Sequence, residues 1–174
     1  MQIQPEGFAV FEDTSQARMN STRSLFAYWR ASHRDDMPPR RTEIDPAAIK
    51  PILPFILLGD IETDPFRVLF RLVGTAVADF SRHDFTGQYL DELGYSDRDS
   101  IEWADCYRYI HGQHVGVVGV NELHLTDGTH TSYEFAILPL LRGDDPAGSF
   151  IAIEAYEDLD HLAIPDLNPV TPRR

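Results

Sequence analysis

The sequence predicts an α+β fold built on one antiparallel sheet, and two observations support this prediction. In residues 66–73, apolar side chains recur at every second position, which is typical of a strand with one face against a core. Farther along, Asp127-Gly128 separates two apolar segments, and this residue pair is preferred in the tight turns of β-hairpins. Both observations indicate neighbouring strands that are joined by short turns.

The remaining elements follow in a simple order. Residues 1–13 show no periodicity and are expected to be loose, and a helix is predicted over residues 14–33. Strands are predicted over residues 55–62, 66–73, 115–125, 131–141 and 149–156, with helices over 75–81 and 99–113 between the second strand and the third. We therefore divide the chain into an N-terminal helix with its linker (1–42), a main domain (43–157) and a C-terminal tail (158–174).

The N-terminal helix carries an apolar stripe that must be covered. Its members recur at alternating spacings of three and four residues and are Met19, Thr22, Phe26, Trp29 and His33. The stripe packs on the sheet of its own chain, on the same helix of a second copy, or on both, because a helix of five turns is long enough to do both. The second alternative predicts a homodimer with Met19, Thr22, Phe26 and Trp29 in the interface.

Composition excludes several classes of function. The chain has 174 residues and a net charge of −13, so a nucleic-acid backbone would be repelled, and no nucleic-acid partner is expected. No apolar run is long enough for a membrane span and the first residues do not resemble a signal peptide, so we expect a cytoplasmic protein without membrane contact. The single cysteine, Cys106, excludes an internal disulfide and a multi-cysteine zinc site.

Several short motifs occur in a fixed order between residues 25 and 93. Tyr28-Trp29-Arg30 lies in the first helix, Asp45-Pro46 and Leu53-Pro54 lie in a proline-rich linker, Arg71–Thr75 (RLVGT) ends a strand, and Asp84–Gly87 (DFTG) follows a short helix. This series resembles the small, often stand-alone PAS-domain proteins of proteobacteria. The resemblance implies a PAS fold, in which a five-stranded antiparallel sheet has helices on one face, with an N-terminal helix added.

The motifs of common enzymes and cofactors are missing from the sequence. There is no nucleophile elbow, phosphate-binding loop, dinucleotide fingerprint or HExxH motif. Flavin-binding PAS domains carry an Asn-Cys-Arg run where this chain has residues 80–86, and that stretch contains no cysteine. His111 and His114 lie on the helix that supplies haem ligands in other PAS domains, but one well-placed histidine is weak evidence. The cofactor is therefore left unknown, with a small organic ligand as the remaining alternative.

In the PAS fold, the sheet and the longer helix enclose a cavity, and the resemblance supplies candidate lining residues. Aromatic rings with polar tips suit a mostly apolar pocket with a few orienting hydrogen bonds, although the same residues could simply fill the core. The candidates are Phe80, Phe85, Trp103, Tyr107, His114, Tyr133 and Phe135. Arg71 lies within a strand and is either exposed to solvent or, as we favour, joined to a carboxylate in a structural ion pair.

These observations predict a non-catalytic sensory or interaction module in cytoplasmic signal transduction. It would signal through the packing of its dimerising N-terminal helix, which a ligand or a partner such as a histidine kinase would change. The alternative is a small α+β enzyme of the ketosteroid isomerase or polyketide cyclase type, with Asp105 or Glu134 as a base in the pocket. That alternative fits less well, because those folds place several helices before a long sheet.

Overall fold

The computed structural model describes residues 8–11, 16–94, 97–124 and 130–156. In these ranges it contains three α-helices, α1 (Asn20–Ala31), α2 (Thr75–Ser81) and α3 (Asp97–Gln113). It contains six strands, β1 (Phe8–Phe11), β2 (Ile56–Thr63), β3 (Phe66–Val73), β4 (Val117–His124), β5 (His130–Arg142) and β6 (Asp145–Tyr156). Short 3-10 helices lie at Arg41–Glu43, Lys50–Phe55 and Leu90–Glu92.

All six strands form one antiparallel sheet in the order β1-β4-β5-β6-β2-β3. The five strands from β2 to β6 are the antiparallel sheet that was predicted, and α2 and β3 have the predicted bounds. The predicted Asp127-Gly128 turn and the tail over residues 158–174 lie outside the described residues. Within the described ranges, no helix is long and apolar enough to cross a membrane.

Hydrophobic side chains cover both faces of the sheet. The inner face, as we call it, carries α2 and α3, and Phe70, Phe135 and Phe150 lie in its core. The opposite outer face carries α1 and the 3-10 helix Lys50–Phe55. Burying a large apolar side chain contributes about 1.5–3 kcal/mol, so both layers stabilise the sheet.

The expectation that residues 1–13 are loose is wrong for β1. Residues 8–11 pair with β4 from Phe8 opposite Asn121 to Phe11 opposite Val118. Without β1, the N–H and C=O groups on that side of β4 would lack strand partners, which favours the addition of a short β-prone segment. The segment Phe-Ala-Val-Phe is too short to show a period, so the pattern of the sequence alone missed it.

The N-terminal helix is shorter than predicted. It begins at Asn20 rather than at residue 14, because the carboxylate of Glu134 on β5 accepts hydrogen bonds from the backbone N–H groups of Arg18 (2.7 Å) and Met19 (3.0 Å). These bonds fix the chain on the outer face just before the first helical turn. Beyond Ala31 the chain turns at Asp35 and Asp36, which both have a positive φ, so the helix cannot continue.

The Arg71–Thr75 and Asp84–Gly87 motifs fix the segments around the end of β3. A Cβ atom on Gly74 would collide with the backbone carbonyl of Pro54, so glycine allows the close approach of two chain segments there. In the second motif, Asp84 accepts a hydrogen bond from the N–H of Thr86 (2.9 Å), and Gly87 donates its N–H to the carbonyl of Phe70 (2.7 Å). The chain after α2 is thereby held against the free edge of β3.

Candidate functional site

The inner face of β4, β5 and β6 carries a row of polar and aromatic side chains at one end. Side chains alternate along a strand, so Glu154 and Tyr156 lie on the same face as Phe150, which is in the inner core. The register of β5 and β6 places Phe135 opposite Glu154 and Tyr133 opposite Tyr156. The sheet thus presents one carboxylate surrounded by aromatic rings.

Glu154 lies at one end of the inner face, and we call the group of Glu154, Tyr133, Phe135 and Tyr156 the Glu154 cluster. Protein atoms surround its carboxylate, while part of the residue surface stays accessible. Tyr156 donates a hydrogen bond from its phenol to Glu154 Oε2 at 2.6 Å. Burial raises the pKa of Glu154 to about 7, although the hydrogen bond from Tyr156 acts in the opposite direction. The group can therefore take or release a proton near neutral pH.

Aromatic side chains from both inner-face helices complete the surroundings. Phe80 on α2 stacks on Tyr156 with 4.3 Å between the ring centroids, and its centroid lies 6.1 Å from that of Tyr133. Trp103 on α3 meets Phe135 edge to face at 4.9 Å. Phe80 keeps 44% of its surface exposed, so the group of rings opens at the surface of the protein.

The predicted pocket residues fall into two groups. Phe80, Trp103, Tyr133 and Phe135 lie around Glu154, as described above. Phe85 and Tyr107 lie elsewhere on the inner face and pack against Phe70, with ring centroids 4.9 Å and 6.5 Å away. Tyr107 also contacts Phe150 at 4.8 Å, so this second group fills the core under α3.

His114, the remaining predicted pocket residue, does not face the interior. It follows the last residue of α3 with a φ of 55°, and it is exposed. The stripe on α3 predicted an inward side chain, but the helix ends one residue earlier. His111 is also at the surface, where its Nε2 lies 3.0 Å from a carboxylate oxygen of Asp145.

Nothing in the described part of the chain forms a metal site or a reactive thiol. No group of three or more histidine, cysteine or acidic side chains could hold a metal ion there. Cys106 is buried in the inner core, and burial raises the pKa of its thiol to about 12. A thiol of this kind stays protonated at neutral pH and is a poor nucleophile.

The stripe on α1 is covered by the sheet of its own chain. Thr22, Phe26 and Trp29 are buried on the outer face, and the indole N–H of Trp29 donates to the carbonyl of Pro139 at 2.7 Å. Met19 is partly exposed. Of the two alternatives for the stripe, the structure adopts the first, so a partner could contact these three buried side chains only if α1 left the sheet.

Arg71 forms the structural ion pair that we favoured. Its Nε lies 2.6 Å from Asp60, whose other carboxylate oxygen accepts a hydrogen bond from Ser149 at 2.7 Å. Burial by itself raises the pKa of Asp60, but the hydrogen bonds from Ser149 and Arg71 and the charge of Arg142 lower it below its ordinary value. The pair lies on the outer face and joins β2 to β3 and β6.

The two bases expected for the enzyme alternative do not lie in a pocket. Asp105 is partly exposed on α3 and pairs with Arg108 at 2.8 Å. Glu134 faces the outer side of the sheet, where it accepts two backbone N–H groups before α1. Neither carboxylate belongs to the Glu154 cluster, so the alternative loses both of its candidate bases.

Comparison with known proteins identifies the family. Residues 17–153 match a family model described as a PAS domain. The chain belongs to the PAS-domain family. The matched range includes α1, so this helix lies within the region that the family model covers. None of the curated proteins compared with the PAS domain matches it.

Solved structures similar to this PAS domain include light-oxygen-voltage proteins. An RNA-binding light-oxygen-voltage receptor is 14% identical, with a TM-score of 0.44, and the match covers 90% of this chain and 41% of that one. The LOV protein of Rhodobacter sphaeroides is also 14% identical, with a TM-score of 0.44 over 66% of this chain and 69% of that one. The light state of the Aureochrome1 LOV domain is 13% identical, with a TM-score of 0.42 over 66% of this chain and 91% of that one. The PAS domain thus spans less than half of the receptor's chain.

Three residues in or beside the Glu154 cluster were missed by sequence reasoning. Glu154 and Tyr156 were treated only as part of a strand, and Asn121, whose side-chain amide donates to the Tyr133 phenol at 3.0 Å, was treated in the same way. A signal for Glu154 was present in the sequence. It is the one acidic residue within the apolar run Ser149–Tyr156, and its position shares the parity of Phe150.

Proposed function

We propose that this PAS domain is a non-catalytic sensory or interaction module in cytoplasmic signal transduction. A ligand bound beside the Glu154 cluster, or contact with a signalling partner such as a histidine kinase, would change how α1 packs on the outer face. The proposal requires a physical connection between the two faces of the sheet, since the Glu154 cluster and α1 lie on opposite sides.

Strand β5 supplies this connection, and it is the observation that carries the proposal. Tyr133 and Phe135 belong to the inner core, while Glu134 between them points outward and holds the chain at the start of α1. A shift of β5 by a fraction of an ångström would alter both sets of contacts, because hydrogen bonds weaken steeply with distance and angle.

The packing of α1 also contains a point of reduced stability. The hydroxyl of Thr22 is fully buried between α1 and the sheet, and it has no hydrogen-bond partner among the described residues. A buried polar group without a partner costs about 1–3 kcal/mol, so the seated position of α1 is less stable than its apolar contacts alone would make it. Such a helix suits an equilibrium that a ligand can shift.

Hydrogen exchange on the full-length protein tests this proposal. Native mass spectrometry first identifies any ligand that purifies with the protein, and exchange is then measured before and after its removal or the addition of a partner. We expect altered protection in residues 20–31 and in β5, with α3 near Tyr107 unchanged as an internal control. Unchanged protection in α1 under a bound ligand or partner would refute the proposed signalling route.

We further propose that the protein forms a homodimer through α1. Since the stripe is buried on its own sheet, either α1 exchanges between copies or its exposed side forms the contact. Ala27 is exposed in the middle of that side. If the exposed side forms the dimer, Ala27→Arg should give a monomer in sedimentation, with the exposed Glu122→Gln variant unchanged. A dimer in both variants would exclude this side of α1, and a monomeric wild type would exclude the homodimer.

A further inference from the structure

The exposed side of α1 carries positive charge in a protein that is strongly acidic. The chain has a net charge of −13, yet residues 14–34 contain four arginines and no aspartate or glutamate. Arg23, Ala27 and Arg30 follow one another at spacings of four and three residues, so they lie along one side of the helix, and all three are exposed. Arg34, just beyond the helix, is also exposed. Because Ala27 is small, a second chain segment can approach the helix between the arginines.

Within the described ranges, one carboxylate pairs with these three arginines. Arg23 donates a hydrogen bond to an uncharged backbone carbonyl at 3.0 Å, and the guanidinium of Arg30 lies 5.5 Å from the ring centroid of Phe26. The Nε of Arg34 lies 3.8 Å from a carboxylate oxygen of Glu43, and 70% of the arginine side chain is exposed. The three like charges add up to a positive potential along the helix, which attracts a segment with several carboxylates.

A small depression adjoins the C-terminal end of α1. It has a volume of about 180 Å³ and lies between β5 and the segment that follows the helix. Its apolar lining consists of Met37, Pro38, Pro39 and Leu141. Arg34, Arg40 and Glu43 also line it, so its net charge is positive. The depression can hold one aliphatic side chain, and its arginines can pair with a carboxylate next to that side chain.

The chain contains a segment of matching chemistry directly after β6. Residues 157–166, which we call the acidic segment, lie outside the described residues and contain four acidic residues, no lysine or arginine, and three large aliphatic residues. The acidic segment starts close to α1, because Ala155 on β6 is opposite Glu134, which holds the residues just before the helix. Ten extended residues reach at most about 33–36 Å. With 12 residues, α1 is about 18 Å long, so the acidic segment can follow the whole helix and reach the depression.

We propose that the acidic segment binds to the exposed side of α1 in the same molecule, with its carboxylates beside Arg23, Arg30 and Arg34 and one aliphatic side chain in the depression. A single exposed ion pair contributes little, but a short connection raises the effective concentration of the segment to roughly millimolar. A nucleic acid or an anionic membrane is a poorer occupant, because either would extend beyond α1 onto the acidic remainder of the protein.

The contact goes beyond the proposed function and does not depend on it. The acidic segment would cover the side of α1 on which Ala27 lies. A second copy or a signalling partner that uses this side would have to displace the segment first, so the contact would regulate access to α1.

Paramagnetic relaxation enhancement on the full-length protein tests the contact. A nitroxide is attached to the variant Ala163→Cys, and the buried Cys106 should stay unlabelled in the folded protein. We expect broadened amide signals in residues 23–34 and unchanged signals in α3, which packs on the opposite face of the sheet. Raising the salt concentration from about 0.1 M to about 1 M shortens the screening length from about 10 Å to about 3 Å, so the broadening should fall.

Charge-swap variants locate the contact. Arg23→Glu combined with Arg30→Glu should abolish the broadening in α1, and the addition of Asp158→Arg and Asp160→Arg should restore part of it. Arg82→Glu makes the same change of charge at an exposed residue after α2, on the other face of the sheet, and should leave the broadening unchanged.

Two results would overturn the proposal. One is the absence of broadening in α1 of the wild-type sequence, and the other is equal broadening with and without the two α1 substitutions. A mixture of isotope-labelled protein without nitroxide and unlabelled protein with nitroxide should show no broadening. Broadening in this mixture alone would assign the acidic segment to a second copy and exclude the contact within one molecule. Should the α1 variant fail to fold, the salt dependence of the broadening still decides the outcome.

Discussion

The contact between Glu134 and the start of α1 gives a sharp prediction for Glu134→Gln. The wild-type carboxylate is buried and accepts two backbone N–H groups, at 2.7 Å from Arg18 and 3.0 Å from Met19. Glutamine has nearly the same shape, but it offers one acceptor oxygen and turns an N–H₂ group toward the second donor. The variant therefore loses one of the two bonds and the negative charge near the N-terminus of a helix.

The expected loss follows from these contacts. A hydrogen bond to a charged group contributes about 1.5–3 kcal/mol, so the free energy of unfolding should fall by about 2 kcal/mol. With a urea m-value of about 2 kcal/mol/M for a protein of this size, the midpoint should move down by about 1 M. Circular dichroism in urea measures this shift. Hydrogen exchange should show the largest loss of protection in residues 20–31, because the contact fixes α1 rather than the inner core.

The exposed Glu122→Gln variant is the matched control, since it makes the same chemical change on the same sheet without a described partner helix. A midpoint within about 0.2 M of the wild type for Glu134→Gln, together with unchanged protection in α1, would refute the reasoning. It would mean that the apolar contacts of α1 hold the helix without help from the carboxylate.

Three further predictions concern single residues. Asp60→Asn should lower the free energy of unfolding at neutral pH by about 1–3 kcal/mol, because it weakens the hydrogen bonds from Ser149 and Arg71. The pKa of Asp60 is lowered in the folded protein, so its stabilisation is complete above the unfolded value of about 4 and is lost as the pH falls through the folded value. Measured by urea unfolding at several pH values, the free energy of unfolding should fall less steeply with decreasing acidic pH in the variant than in the wild type. An equal dependence on pH in the two proteins would contradict the role of the ion pair. Gly74→Ala should lower the free energy of unfolding by roughly 3 kcal/mol or more, because the backbone of Pro54 rather than a flexible side chain occupies the space of the new Cβ. A lower melting temperature would show this loss. Cys106 should react with a thiol reagent at neutral pH only after unfolding, since burial raises its pKa to about 12, and a rapid reaction of the folded protein would contradict its placement.

The elements with a clear periodic pattern could be predicted from the sequence. Strand β3 and helix α2 have the predicted bounds because Gly74 marks the point at which a period of two gives way to a helical one. The ion pair of Arg71 was also predicted, because a charged residue within a strand of a half-buried sheet needs a partner.

The features that were missed depend on contacts between distant parts of the chain. β1 exists because β4 has an edge to pair with, and no local pattern in four residues reveals this. The start of α1 is set by Glu134, which lies more than 100 residues away in the sequence. A helical wheel cannot show that α3 ends before His114 and that this residue turns outward with a positive φ.

The candidate site could be predicted in its aromatic part only. The resemblance supplied Phe80, Trp103, Tyr133 and Phe135 as candidates, and the structure places Phe80 beside Tyr133 and Trp103 beside Phe135. Glu154 is recognised as special only when the register of β5 and β6 places it among these rings. Sequence patterns do not report the register of strands that are distant in the chain, so this placement could not be predicted.

The residues before and after helix α1 in the sequence are both held to the sheet by backbone hydrogen bonds. Before α1 in the sequence, β1 pairs with β4. After α1, the carbonyl of Pro39 accepts a hydrogen bond from the backbone N–H of Leu141 at 3.0 Å. A helix held on both sides can shift or tilt slightly, but it cannot leave the sheet while both contacts remain. A signal carried by α1 should therefore be a small shift of the helix. Exchange of α1 with a second molecule would first require one of these two contacts to break.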